Sequence, residues 1–79
     1  MPRSEVLQIF GETVRKHRSV TGMSQEDLAA KAKIHRTYIG GIERGERNPT
    51  LVMIYRLAEA LQVPPAVLLA EEPKSRKKK

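Results

Sequence analysis

The two histidines, His17 and His35, are the side chains best suited to acid–base chemistry in this chain, which contains no cysteine. Such a pair could serve a small nuclease as general acid and base. However, His17 continues the apolar spacing of Phe10 and Val14, and no carboxylates stand at metal-ligand spacing. We therefore expect that the protein is not an enzyme and that it uses neither a metal nor another cofactor.

Phosphate binding is a second chemistry that the residue types suit. Ser24 and Gln25 open a predicted helix, and the free backbone N–H groups of a helix start favour an anion. Basic and amide side chains able to hold a nucleic-acid backbone follow the next predicted helix: Arg44, Arg47 and Asn48. The alternative is that the arginines are ordinary solvated surface charges.

Base recognition is the third chemistry, and its candidates stand between those two groups. Arg36 can bridge O6 and N7 of guanine, and Thr37 can contact a base edge or a thymine methyl group. Gly40 and Gly41 follow on the same predicted helical face, although glycine costs about 1 kcal/mol of helix stability relative to alanine. Since Gly41 cannot hydrogen-bond a base through a side chain, Arg36 and Thr37 are expected to do most of the reading.

Five short helices are predicted to position these residues, because only helical periods of apolar residues occur. The first runs from an N-cap at Ser4 to a stop at Gly22. Its inward stripe comprises Val6, Phe10, Val14 and His17. The second begins with the capping-box spacing of Ser24 and Asp27. The remaining helices are expected at 36–44, after a cap at Thr50, and at 65–69.

The predicted fold class is all-α, a compact five-helix bundle over residues 1–70. Its expected core combines residues of helices two, three and four: Leu28, Ala29, Ala32, Ile39, Ile42, Leu51, Ile54, Leu57, Ala58 and Leu61. Helices two and three are joined only by 33–35, which is typical of a helix-turn-helix. In that motif the first helix crosses the DNA backbone and the second enters the major groove.

Three segments in order, 23–29, 35–39 and 42–50, resemble the Cro/repressor-type helix-turn-helix family, whose domain is lambda-repressor-like. The stretch HRTYIGGIERGERNPT is most similar to the controller proteins of restriction–modification systems. These are small dimeric regulators that bind paired operator sites and time nuclease expression. The resemblance spans about residues 8–69. Short antitoxins and phage-type repressors share the same core, so an autorepressor that also binds a protein partner is the alternative.

The resemblance also implies roles for individual residues. The base-reading positions match Arg36, Thr37 and Gly41. The backbone-contacting positions match Gln25, Tyr38, Arg44, Arg47 and Asn48, with Ser24 beside them. For Tyr38, packing over the end of helix two is the alternative. Arg18 and Glu43 match a buried ion pair that ties helix one to helix three. His35 stands where the family often has a capping serine or threonine, which predicts a weak N-cap.

A homodimer is expected, because one module makes too few contacts for tight specific binding while two can read half-sites about 34 Å apart. Val52 and Tyr55 lie off the core stripe of helix four, although Tyr55 could fold back over its own core. The predicted two-fold interface comprises Val52, Tyr55, Val63, Pro64, Val67 and Leu69.

Composition limits the remaining possibilities. The 79 residues carry a net charge of +6, and residues 71–79 hold five basic and two acidic side chains. This segment is predicted to be a disordered tail, either solubilising or an arm on DNA. The absence of a signal segment and of an apolar run of about 20 residues predicts a cytoplasmic, nucleoid-associated protein without a membrane partner.

Together these features predict a sequence-specific transcriptional regulator that binds a palindromic operator in double-stranded DNA as a homodimer. The helix around 36–44 would read the bases. RNA polymerase is a further candidate partner, and no small-molecule ligand is expected.

Overall fold

The computed structural model describes residues 2–70. Within them five helices follow one another: α1 Arg3–Thr21, α2 Gln25–Ala32, α3 Arg36–Glu43, α4 Leu51–Leu61 and α5 Pro65–Leu69. The predicted all-α fold is confirmed, and this described range contains no strand. The predicted basic tail, 71–79, lies outside it. None of these helices is long and apolar enough to cross a membrane.

The helices share one core. α1 packs against α3, α4 and α5, while α2 packs against α3 and α4. The buried apolar residues come from all five helices and from the α2–α3 link: Phe10, Val14, Leu28, Ala29, Ala32, Ile34, Ile39, Ile42, Leu57, Ala58, Leu61 and Leu68. Since this core joins both helices of the predicted helix-turn-helix to α1 and α4, the pair is held as a rigid unit.

Two predicted core positions lie at the surface. Val6 is 44% exposed and Leu51 is 66% exposed, and His17 and Ile54 are half-buried. The buried residues of α1 all lie in its middle, and those of α4 in its second half. The apolar period therefore indicated the correct helix faces, but the neighbouring helices do not reach the N-terminal turns that carry Val6 and Leu51.

The first helix begins differently from the prediction. Pro2, in extended conformation, precedes α1 without a side-chain cap, and the predicted cap, Ser4, lies inside the first turn. Proline suits this boundary because its ring fixes φ near the helical value. At the other end Gly22 stops α1 as predicted, with a φ of 81° that glycine adopts without strain.

The start of α2 has the predicted capping box. The Ser24 hydroxyl accepts a hydrogen bond from the Asp27 backbone N–H at 3.0 Å. In return, the Asp27 carboxylate accepts from the Ser24 backbone N–H at 3.0 Å. Hydrogen bonds to the Asp27 carboxylate from the backbone N–H and from the side chain of Ser24 hold the pKa of Asp27 below its usual range. The box therefore fixes where the first turn of α2 begins.

Replacing Asp27 by asparagine is expected to remove a stabilising contribution that the wild-type protein loses only in acid. Because the folded pKa of Asp27 lies below the unfolded value of about 3.9, the contribution is complete above that value. It disappears as the pH falls through the folded pKa. Thermal unfolding of both proteins from about pH 7 to about pH 2 should show melting temperatures that converge in acid. A constant difference over the whole range would contradict this origin of the stability.

The start of α3 is capped by a histidine. His35 Nδ1 accepts a hydrogen bond from the Thr37 backbone N–H at 3.0 Å. His35 thus caps α3, with an imidazole nitrogen in place of the usual hydroxyl oxygen. α3 ends at Glu43, one residue before the predicted end, and Arg44 is its C-cap. Gly45 follows with a φ of 77° and donates its N–H to the Ile42 carbonyl.

The backbones of α1 and α3 approach each other closely at Gly11, which the apolar pattern of the sequence does not indicate. A Cβ atom added at Gly11 would lie 2.2 Å from the Ile42 carbonyl oxygen and 2.8 Å from that of Glu43. Both neighbours are backbone atoms, so they cannot turn aside as a side chain can. Only glycine fits here, and this contact helps to set the position of α3.

Candidate nucleic-acid interface

Glu43, at the end of α3, connects this helix to α1 and α2. Arg18 donates from Nε to Glu43 Oε2 at 2.6 Å and from Nη2 to Oε1 at 3.0 Å. Gln25 Nε2 also donates to Glu43 Oε1, at 2.9 Å, and Arg18 Nη1 donates to the Met23 carbonyl. The Arg18 and Glu43 side chains are 16% and 3% exposed. The predicted ion pair is therefore formed, and it extends into a network that fixes the start of α2 as well.

Two groups at the start of α2 were predicted to hold a phosphate. The Gln25 side chain is half-buried and already donates to Glu43. The hydrogen bond between Arg18 and the same carboxylate raises the pKa of Arg18. The Ser24 hydroxyl accepts from the Asp27 backbone N–H and its side chain also interacts with the Asp27 carboxylate, so it is engaged in the capping box. Among the first backbone N–H groups of α2, Asp27 donates to the Ser24 hydroxyl and Leu28 to the Ser24 carbonyl, which leaves those of Gln25 and Glu26 without an intrahelical partner.

The two main base-reading candidates stand together at the surface. Arg36 and Thr37 form the exposed first turn of α3. Arg36 Nη1 lies 2.5 Å from Glu26 Oε2, and the two side chains are 65% and 68% exposed. A shallow depression joins the first turns of α2 and α3 and is lined by Gln25, Glu26, Arg36, Thr37, Gly40 and Arg44.

The two glycines of α3 do not form an open reading face. Both are buried, because arginine side chains from the following segment lie across them. A Cβ at Gly40 would meet Arg44 Nη1 at 3.1 Å, and one at Gly41 would meet Arg47 Cγ at 2.5 Å. Gly40 lies on the predicted reading face, in the depression beside Arg36 and Thr37, whereas Arg47 covers Gly41. The missing side chains leave space that the guanidinium of Arg44 fills beside Gly40 and the stem of Arg47 fills beside Gly41.

The segment after α3 is braced against that helix. The Tyr38 hydroxyl donates to the Asn48 carbonyl at 3.4 Å, and its half-buried ring packs against the core. The guanidinium of Arg47 lies 5.5 Å from the centre of the same ring. Tyr38 therefore packs partly against the core and contacts the segment after α3, where its ring lies next to Arg47.

Arg44 lies beside Arg47 and has a carboxylate partner of its own. Its Nε is 3.1 Å from Glu46 Oε2, and both side chains are well exposed. The hydrogen bond to Glu46 and the charge of that carboxylate raise the pKa of Arg44. The side chain of Asn48 is exposed as well. Three of the predicted backbone-contacting residues therefore share one surface at the end of α3.

A second surface lies on α4 and the start of α5. Its apolar groove is lined by Leu51, Val52, Tyr55, Ala58, Val63 and Pro65, with Arg56 and Glu59 at its edges. Val52 and Tyr55 are exposed, so Tyr55 does not fold back over its own core. Leu51 joins this surface although its spacing predicted a core position. Among the other predicted interface residues, Pro64 and Leu69 are exposed and Val67 is half-buried, outside the groove lining.

The two histidines lie on different elements, His17 on α1 and His35 at the start of α3. Within residues 2–70 no group of three or more His, Cys, Asp or Glu side chains is placed to hold a metal ion. His35 uses its Nδ1 to cap α3, and His17 is half-buried on α1. The exposed side chains at the two ends of α3 offer hydrogen-bond donors and positive charge.

Comparison with known proteins agrees with this geometry. A helix-turn-helix family model matches residues 21–68. The control protein C.SmaI of Serratia marcescens is 43% identical over 68 residues, which cover 86% of this chain and 81% of that protein.

Solved structures agree as well. The restriction–modification controller protein C.AhdI of Aeromonas hydrophila superposes with a TM-score of 0.78 at 47% identity, over 78% of this chain and 94% of that one. The controller protein C.Esp1396I, solved as a tetramer on its natural 35-base-pair operator, gives 0.76 at 38% identity, over 82% and 86% of the two chains.

Proposed function

The chain belongs to the helix-turn-helix family, among the control proteins of restriction–modification systems, and from this we propose that it regulates transcription by binding an operator in double-stranded DNA. α3 would lie in the major groove, with α2 across the backbone. The observation that carries the proposal is the exposed pair Arg36 and Thr37 at the start of α3, on a helix that Glu43 fixes to α1 and α2.

Two kinds of contact are assigned to this surface. Arg36 and Thr37 read base edges, and the first turn of α2 at Ser24 and Gln25 holds a phosphate through amide donors. The flanking phosphates are bound by Arg44, Arg47 and Asn48, whose side chains are exposed next to the base-reading turn. Tyr38 braces this segment from within. Gly41 contributes by making room for Arg47.

The apolar groove of α4 and α5 supports a homodimer, because a two-fold axis would place the same exposed residues of two copies against each other. Two copies would then present two recognition helices to a palindrome. Residues 1–70 would thus contain both DNA-binding and dimerisation surfaces. We place the site of action on DNA in the cytoplasm and include RNA polymerase as a partner where the operator adjoins a promoter.

Arg36→Ala and Arg47→Ala are expected to weaken DNA binding in different ways. The first removes a base contact, so it should cost about 1–3 kcal/mol on the preferred site and relax selection at one base pair. The second removes a phosphate contact, so it should weaken every sequence alike and reduce the salt slope by about one. Fluorescence anisotropy with matched operators over a salt series measures both effects. If neither variant changed binding, the assigned surface would be wrong.

Val52→Asp is expected to convert the protein to a monomer at concentrations where the wild type is dimeric. Burying a carboxylate in the apolar groove is costly even where Arg56, one helical turn away, pairs with it, and should raise the dimer dissociation constant at least about tenfold. Val20→Asp is the matched control, since Val20 is 81% exposed on α1 and lies outside the groove. Sedimentation velocity distinguishes the species. Dimers for both variants, or a monomeric wild type, would contradict this interface.

A further inference from the structure

One carboxylate lies at the centre of the proposed DNA surface. Glu26, in the first turn of α2, forms an ion pair with Arg36, the first residue of α3, so the pair connects the two helices of the motif. Both side chains are about two-thirds exposed, and they line the same depression as Thr37.

A carboxylate in the first turn of α2 gains only about 0.3–1 kcal/mol from the helix dipole, and it does not favour phosphate binding. Ion pairs between exposed side chains contribute about 0–1 kcal/mol to folding. A carboxylate next to the phosphates also opposes the electrostatic attraction that provides most non-specific affinity for DNA. Glu26 therefore lowers the non-specific affinity for DNA at the centre of the proposed DNA surface, which points to a role in choosing between base pairs.

The geometry of the guanidinium shows how such selection would work. Arginine carries five N–H donors in a rigid planar fork, and Glu26 engages Nη1. The donors of Nη2 and Nε remain for the two acceptors of guanine, O6 and N7. Because a free arginine side chain has about 2 kcal/mol of rotamer entropy to lose, an orientation held before binding reduces that loss.

We propose that Glu26 is a specificity-determining residue that positions Arg36 for one guanine of the operator and prevents this arginine from acting as a general phosphate contact. This inference rests on the proposed function. On a matching sequence, Arg36 keeps its carboxylate partner and binds the base through its other donors. On a non-matching sequence, Arg36 would have to leave Glu26 to reach a phosphate, which lowers affinity for that sequence.

The chain offers a matched control a few residues away. Arg44 and Glu46 form an ion pair of similar exposure, at 3.1 Å, on the same side of the motif. Arg44 is assigned to a phosphate, so its carboxylate partner should affect affinity without affecting the choice of base. Comparing variants of the two glutamates therefore distinguishes an effect on the choice of base from a general effect of negative charge on affinity.

The test compares Glu26→Gln with Glu46→Gln. Binding is measured on the selected operator, on the three operators altered at the Arg36 base pair, and on a random duplex, each over a salt series. Glu26→Gln should lower discrimination at that base pair about two- to fivefold, the ratio equivalent to an exposed ion pair, and should bind the random duplex more tightly. Glu46→Gln should raise affinity for all the duplexes and leave discrimination unchanged.

A double variant separates positioning from other effects. In the Arg36→Ala background, Glu26→Gln should change discrimination no further, and the melting temperatures of the single variants should stay close to that of the wild type. Two results would overturn this inference but not the proposed function. One is unchanged discrimination between base pairs in Glu26→Gln, and the other is a loss of discrimination that Glu26→Gln still causes in the Arg36→Ala background. A wild-type protein that prefers no sequence would overturn the proposed function and this inference with it.

Discussion

Arg18→Met is expected to lower the free energy of unfolding by about 3–5 kcal/mol, because it leaves a buried carboxylate without its charged partner. The Glu43 side chain is only 3% exposed, and Arg18 supplies two of its three hydrogen bonds. The remaining donor, the Gln25 amide, is neutral. Since small domains have total stabilities of about 5–15 kcal/mol, this is a large share. Urea unfolding of the variant and the wild type measures the difference.

The matched control replaces both partners. Arg18→Met combined with Glu43→Met removes the stranded charge and fills the space with flexible apolar side chains. This double variant should recover most of the stability, because replacing both members of a buried pair is often neutral. A loss below about 1 kcal/mol in Arg18→Met, or no recovery in the double variant, would show that the pair does not hold α3 in place.

Gly11→Ala is expected to destabilise the protein by about 3 kcal/mol or more, although alanine is the better helix former by about 1 kcal/mol. The new methyl group would lie 2.2 Å from the Ile42 carbonyl oxygen, so α1 and α3 must separate. For a domain of this size the melting temperature should fall by about 12 °C or more. DNA binding should weaken as well, because the shift moves α3 relative to α2.

Gly40→Ala is the control for this substitution. Gly40 is also a buried helical glycine, but the nearest atom to its added Cβ is the end of the Arg44 side chain, which can turn away. Here the gain in helix propensity should dominate, and the melting temperature should rise by a few degrees. Equal responses to the two alanines would contradict the close approach of the α1 and α3 backbones.

The predictable parts of this fold are local. The Ser24–Asp27 capping box and the stop at Gly22 depend on hydrogen bonds within a few residues, so residue types and their spacing predict them. Helix faces also follow from the apolar period. Where neighbouring elements end is a tertiary property, and this explains why Val6 and Leu51 were placed in the core although they are exposed.

The candidate site shows the same division. The exposed first turn of α3 with Arg36 and Thr37 followed from sequence, whereas the covering of Gly41 by Arg47 did not. That contact depends on how the segment after α3 folds back. The sequence does carry a signal for this contact. Two adjacent helical glycines leave space beside the helix, and the two arginines that follow have side chains long enough to fill it. The Glu26–Arg36 pair likewise needs the angle between α2 and α3, which no short-range pattern contains.

Selection from a random duplex library, followed by sequencing of the enriched sites, tests the central claim most directly. The proposed regulator should enrich a two-fold palindrome whose half-sites lie about one turn, or 34 Å, apart, with a guanine in each half-site that Arg36→Ala no longer selects. Binding to every duplex with equal affinity and strong salt dependence would contradict operator recognition by α3.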